Sequence, residues 1–200
     1  FDIVENVADT TVVGTVIATD SDTGESLTWS ITGGNPDGTF AVNSATGQIT
    51  VASNLNLDFE TTPTFNVTMR VEDAVGAFDT AIVTISLLNQ NESPAANDAA
   101  LAINEGAAPG ASLGVVTGSD PDAGDTRSWS ILSGNTNGAF SLNAVTGELT
   151  VASPSTLDFE TTPTYTLNVQ IQDTGGLTDS AVVVVNVSNV NEAPTTTGLA

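Results

Sequence analysis

Carboxylates at fixed spacing are the residues of this chain that could do chemistry. Asp20 and Asp22 stand two apart, as do Asp58 and Glu60, with further acids at Glu5 and Asp73. Each has a counterpart one hundred residues on: Asp120 and Asp122, Asp158 and Glu160, Glu105, and Asp173. On an extended backbone, side chains at i and i+2 project to the same side, so each pair offers oxygen ligands to a single ion. Acid–base catalysis fits poorly. A glycosidase holds its two carboxylates across a cleft, about 5–9.5 Å apart, whereas Asp58 and Glu60 are neighbours in one loop. The chain has no His, Lys or Cys, so a hydroxyl nucleophile would lack its usual activating bases. No catalytic residue is expected, and the protein is not read as an enzyme.

The spacing of one hundred residues belongs to the whole chain. Leu57-Asp58-Phe59-Glu60-Thr61-Thr62-Pro63-Thr64 recurs letter for letter as Leu157-Asp158-Phe159-Glu160-Thr161-Thr162-Pro163-Thr164. Trp29 matches Trp129, and Asn91-Glu92 matches Asn191-Glu192. A period this long exceeds that of most solenoid units, so each copy can hold its own core. The expected domains are residues 1–93 and 94–194, with 195–200 beginning a further linker or tail. The connection Asn89-Gln90-Asn91-Glu92-Ser93-Pro94 contains no Gly. It reads as short and stiff, unlike a flexible Gly/Ser-rich linker, and predicts domains arranged end to end.

Charge narrows the partners. With 24 acids, two arginines and a formal charge of −22, no cationic patch exists to replace phosphate counterions, which excludes nucleic acid. Such an imbalance repels itself unless inorganic cations neutralise it. Absent Cys and His remove disulfides and the usual transition-metal ligands. No apolar run reaches the ~18–20 residues of a membrane helix, and no basic segment followed by an apolar one opens the chain as a secretory signal would. Phe1-Asp2-Ile3-Val4 reads as the start of a piece excised from a longer protein.

The elements that must position these acids are strands. Phe65, Val67, Met69 and Val71 alternate with polar residues, as do Val83, Ile85 and Leu87, and the second copy repeats this at Tyr165, Leu167, Val169, Ile171 and Val183, Val185, Val187. Alternation with period two means half-buried antiparallel strands. Shorter strands fit 12–19, 27–31, 40–43 and 48–51, with a turn at 43–47 in which Gly47 supplies a positive φ. Trp29 and Trp129 lie on apolar faces and are expected in the cores. Arg127 replaces Leu27; it either snorkels at the strand end or pairs with Asp120 or Asp122. The fold class is all-β: two tandem Greek-key, immunoglobulin-like β-sandwiches of about seven strands each.

Glu5, Asp20-Ser21-Asp22, Leu57-Asp58-Phe59-Glu60, Val71-Glu72-Asp73-Ala74 and a closing Asn-x-Asn-Glu-x-Pro follow one another in that order, twice. This order resembles a cadherin repeat, and more narrowly the cadherin-like repeats of large bacterial surface proteins. The resemblance implies calcium as the cofactor, a hard cation that takes six to eight oxygens. It implies a site at the junction of the repeats, built from Glu5, Asp58, Glu60, Asn89, the Gln90 carbonyl, Asn91, Glu92, Asp120, Asp122 and Asp173. Weaker half-sites would be Asp20, Asp22 and Asp73 at one end, and Glu105, Asp158, Glu160, Asn191 and Glu192 at the other. Asn89 and Asn189 stand where the family commonly has Asp, which lowers the ligand charge. The implied function is a calcium-rigidified adhesion or spacer segment of an extracellular surface protein. Its partners would be calcium, neighbouring repeats, and another cell-surface protein or a polysaccharide.

Rival ion motifs fail. Asp20-x-Asp22-x-Gly24 begins like an EF-hand loop, yet its sixth position is Glu25 and its twelfth Ile31, where that loop needs Gly and Glu. The sequons at Asn66, Asn91 and Asn186 are short motifs that carry little information. The alternative function, a carbohydrate-binding module, would need exposed aromatic platforms. Phe59 and Phe159 are the candidates, because they lie between ligand positions and point away from them.

Overall fold

The alternating segments form the longest strands of the chain. The computed structural model describes residues 1–22, 24–154 and 157–194, so the expected tail at 195–200 lies outside the described residues. The chain divides into two units, Phe1–Gln90 and a second beginning at Asn91. In the first, β1 (Asp2–Val4), β2 (Val12–Thr15), β3 (Thr28–Gly33), β4 (Phe40–Val42), β5 (Gln48–Val51), β6 (Thr64–Glu72) and β7 (Phe78–Leu88) make two sheets. Their orders are β1-β7-β6-β3 and β2-β5-β4. All neighbours are antiparallel except β1, which runs parallel to β7.

The second unit repeats the plan with one addition. Strands β9 (Ala99–Asn104), β10 (Ser112–Val115), β12 (Ser128–Ser133), β13 (Phe140–Leu142), β14 (Glu148–Val151), β15 (Thr164–Gln172) and β16 (Thr178–Ser188) form the sheets β12-β15-β16-β9 and β10-β14-β13. Two short strands, β8 (Ala95–Ala96) and β11 (Gly118–Ser119), pair with each other. The strand expected at 12–19 ends at Thr15, after a bulge between Val12 and Gly14. In the second unit the corresponding residues Gly118–Ser119 pair with β8.

Each unit closes around its own core. Ile49, Val67 and Ile85 are fully buried in the first, as are Leu149, Leu167, Val183 and Val185 in the second. Edge-to-face pairs fill the centre of each sandwich, Phe40 on Phe65 at 5.2 Å and Phe140 on Tyr165 at 5.0 Å between ring centroids. Trp29 and Trp129 are buried in the cores, as expected. Gly47 has φ +70°, and an added Cβ would meet the Val16 carbonyl oxygen at 2.3 Å. Only glycine satisfies both the turn and the close strand approach there.

Candidate metal centre

At one pole of the first unit, Glu5 follows β1 and is 1% exposed. Its two carboxylate oxygens accept the backbone amides of Phe59 and Gln90, each at 2.7 Å. Oxygens of Glu5, Asp58 and Glu60 lie within 4.8 Å of one another. Asp58 has a second task, because it accepts both the amide and the hydroxyl of Thr61 at 2.9 Å and so closes its own turn. The Asn89 side-chain amide donates to Glu60 Oε1 at 2.8 Å. The second unit repeats this pole, with oxygens of Glu105, Glu160 and Glu192 together. Glu105 accepts the amides of Phe159 and Val190, which hold its carboxyl below the usual carboxylate range. The hydroxyl and amide of Thr161 do the same for Asp158. Glu192, by contrast, is pushed up by desolvation and by the charges of Glu105 and Glu160.

The opposite pole of the second unit gathers Asp120, Asp125 and Asp173, again with oxygens within 4.8 Å. Asp173 is 6% exposed. Its Oδ1 accepts the Leu177 amide at 2.8 Å, which fixes the turn after β15, and its Oδ2 accepts the Asn91 side-chain amide at 2.9 Å. Asp122 accepts the Glu92 amide at 2.8 Å. Desolvation raises the Asp120 carboxyl above its ordinary value; the Asp122 amide opposes this, and the charges of Asp122, Asp125 and Asp173 add to it. Asp120 Oδ2 and Asp125 Oδ2 are buried without a hydrogen-bond partner. The first unit has the matching set Asp20, Glu25 and Asp73, in which Glu25 Oε2 is buried and unpartnered.

Buried carboxylate oxygens with no donor, beside other carboxylates, are unfavourable by themselves. Together they make an all-oxygen, anionic donor set that fits a hard divalent cation. Glu25 entered the sequence reading only as evidence against an EF-hand, and Asp125 was not among the expected ligands. Their signal was available, since both copies place an acid at that point of the repeat. Arg127 pairs with neither Asp120 nor Asp122. It stands just before β12, and its guanidinium donates to the Gly118 carbonyl at 2.9 Å. Of the aromatic candidates, Phe59 packs against the first core and Phe159 is 36% exposed.

The profile of the cadherin domain matches residues 1–88 and again 100–188. The chain belongs to the cadherin family. Human Protocadherin Fat 4 is 34% identical over 205 residues, covering 96% of this chain and 4% of that protein. Mouse Cadherin EGF LAG seven-pass G-type receptor 2 is 32% identical over 181 residues, covering 88% and 6%. The chain thus spans a few per cent of the length of these relatives. Among solved structures, mouse Cadherin-23 EC22-24 superposes with a TM-score of 0.76 at 26% identity, over 95% of this chain and 62% of that one. Human Protocadherin-24 EC1-2 gives 0.75 at 23% identity, over 96% and 94%, a likeness of fold. Each unit is therefore a cadherin domain, and the poles just described are the ends of cadherin sandwiches.

Proposed function

We propose that the chain is a calcium-dependent spacer and adhesion segment of an extracellular surface protein. The observation that carries this reading is the acidic triad of Asp120, Asp125 and Asp173, with two of its oxygens buried and unpartnered. In the proposal, Glu5, Asp58, Glu60, Asn89 and the Gln90 carbonyl supply one half of a junction site, and Asn91, Glu92, Asp120, Asp122 and Asp173 supply the other, with Asp125 added. The chain's residues bring the charge and the oxygens, and a bound calcium would neutralise them. Two like charges about 4 Å apart repel by roughly 4 kcal/mol at an effective dielectric of 20. A junction of this composition is therefore loose without cations and rigid with them.

Extracellular modules typically bind calcium with dissociation constants of about 10⁻⁴ to 10⁻³ M. At about 1 mM calcium that stabilises a site by roughly 0.4–1.4 kcal/mol, small beside the stability of a sandwich. Calcium's task is to fix orientation between repeats, and the sandwiches fold without it. A large bacterial surface adhesin, as the Asn-Glu-Ala-Pro closing motif suggests, is one setting for such a rod. Of the two aromatic platforms the carbohydrate reading would use, Phe59 is packed on the core and Phe159 is 36% exposed, so one of them speaks against it.

The test is calorimetric titration of calcium into the chelator-stripped chain. The expected result is saturable binding of about two or three ions, lost in Glu60→Ala and kept in Glu160→Ala. Absence of binding up to about 10 mM calcium, well above the range for such modules, would make the chain an ion-independent spacer.

A further inference from the structure

In the second unit, a strand near the chain's entry and the strand at its exit lie side by side and run the same way. Strand β9 pairs with β16 from Val183↔Ala99 to Ser188↔Asn104 without a break in register. The chain enters this unit beside Asp173, whose Oδ2 accepts the Asn91 side-chain amide, and then runs into the head of β9. It leaves past Ser188, whose carbonyl accepts the Glu105 amide at the opposite pole. Entry and exit therefore lie at opposite ends of one parallel pair.

Carboxylates latch both ends of that pair. At the head, the Ala96 amide donates to Asp179 Oδ2 at 2.9 Å and the Val182 amide donates to Asp98 Oδ1 at 2.8 Å, so each segment gives the other one acid and one amide. At the foot, the Glu105 carboxylate accepts the Val190 amide at 2.5 Å, just beyond the last bond of the ladder. The inner faces hold as well. Ala99, Leu101 and Ile103 pack on the core, where Val183, Val185 and Val187 are buried. The entering segment is also tied to the other side of the sandwich, through β8 on β11 and through the Asn97 amide to the Thr117 carbonyl at 2.9 Å.

Tension along the chain draws β9 toward the entry and β16 toward the exit. Parallel neighbours drawn in opposite directions slide, and sliding strains all the bonds between them together. Strands drawn apart from one end lose their bonds one at a time. Forced unfolding is governed by the unfolding rate, and contacts that must break before the barrier is crossed slow that rate. We propose that β9 and β16, latched by Asp98, Asp179 and Glu105, are the load-bearing clamp of the second unit, which yields to tension only when the two strands shear. That the segment carries tension at all rests on the spacer reading above; the shear strength belongs to the fold and is measured without calcium.

Single-molecule force spectroscopy on the 200-residue chain in chelator tests this. The chain has no Cys, so introduced cysteines define the points of attachment. Ser93→Cys with Ala193→Cys, both at exposed positions, pulls the clamp in shear, and full opening releases roughly 300 Å of chain. Ser93→Cys with Thr178→Cys places both handles at the head of the pair, since Thr178 opens β16, and peels the strands apart. The expected result is a severalfold higher unfolding force in the first geometry than in the second. Asp98→Ala with Asp179→Ala should lower the shear force, and Asp98→Asn with Asp179→Asn, which keep an oxygen for each amide, should restore most of it. Equal forces in the two geometries would overturn the proposal, and that comparison needs no change to the latches. A shear force unmoved by the alanine pair would remove the aspartates from the clamp.

Discussion

The carboxylate of Glu5 accepts the backbone amide of Gln90 at 2.7 Å, tying the residue after β1 to the connection that ends the first unit. Its other oxygen accepts the Phe59 amide, also at 2.7 Å, and the side chain is 1% exposed. The residue that the family resemblance marks as a calcium ligand is thus also a buried staple between three segments. Glu5→Ala leaves two amides without their acceptor. It should cost the first unit on the order of 3 kcal/mol, measured by urea unfolding in chelator. If Glu5 served calcium alone, unfolding in chelator would not change.

Glu105 makes the same bonds in the second unit, and its carboxyl is held below the usual range by the amides of Phe159 and Val190. A folded-state pKa below the unfolded one stabilises the fold above the unfolded value, about 4.3 for Glu. That stabilisation is lost as pH falls through the depressed folded value. The second unit should therefore lose stability in acid below about pH 4.3, and Glu105→Gln should flatten that part of the profile. Urea midpoints between about pH 3 and 6 bracket the window.

Asp120 has the opposite sign. Desolvation raises its carboxyl, so its ionised form is disfavoured in the calcium-free fold and protonation as pH falls relieves that cost. Protons should compete with calcium at this carboxylate from a higher pH than at an ordinary Asp. Calcium affinity should fall as pH is lowered into the range where this raised carboxyl takes up its proton, and binding there should release protons. Calcium titrations over a descending pH series of the chain and of Asp120→Asn check it: the chain should lose affinity from a higher pH than the variant, and identical profiles would remove Asp120 from the site.

Most of the sandwich was legible because its determinants are local. The alternation at Phe65–Val67–Met69 and Tyr165–Leu167–Val169 fixes which face is buried, and the odd phase of Trp29 and Trp129 places them in the cores. Relations set by distant contacts were less legible. The strand at Gly118–Ser119 pairs with β8, a partner that lies more than twenty residues earlier and that the local sequence does not announce. The target of Arg127 was open between snorkelling and an ion pair, and a backbone carbonyl took it. Asp125 was overlooked because it matches no spacing pattern with Asp120 or Asp122. It reaches the cluster through the turn after Asp122, whose carbonyl accepts the Asp125 amide at 3.2 Å.

That position gives Asp125 a distinctive prediction. Its Oδ1 accepts the Thr174 hydroxyl, which orients the side chain, while Oδ2 is buried without a partner beside Asp120 and Asp173. Without a cation, this oxygen contributes like-charge repulsion and a desolvated lone pair, both unfavourable. With calcium bound, the same charge becomes a ligand, and affinity at such sites follows ligand charge. Asp125→Asn keeps the shape and removes the charge. It should raise the second unit's stability in chelator and at the same time weaken calcium binding by about tenfold. Thermal unfolding in chelator and calcium titration of the same variant measure the two effects. A residue that merely capped the turn would move stability downward and leave calcium affinity alone.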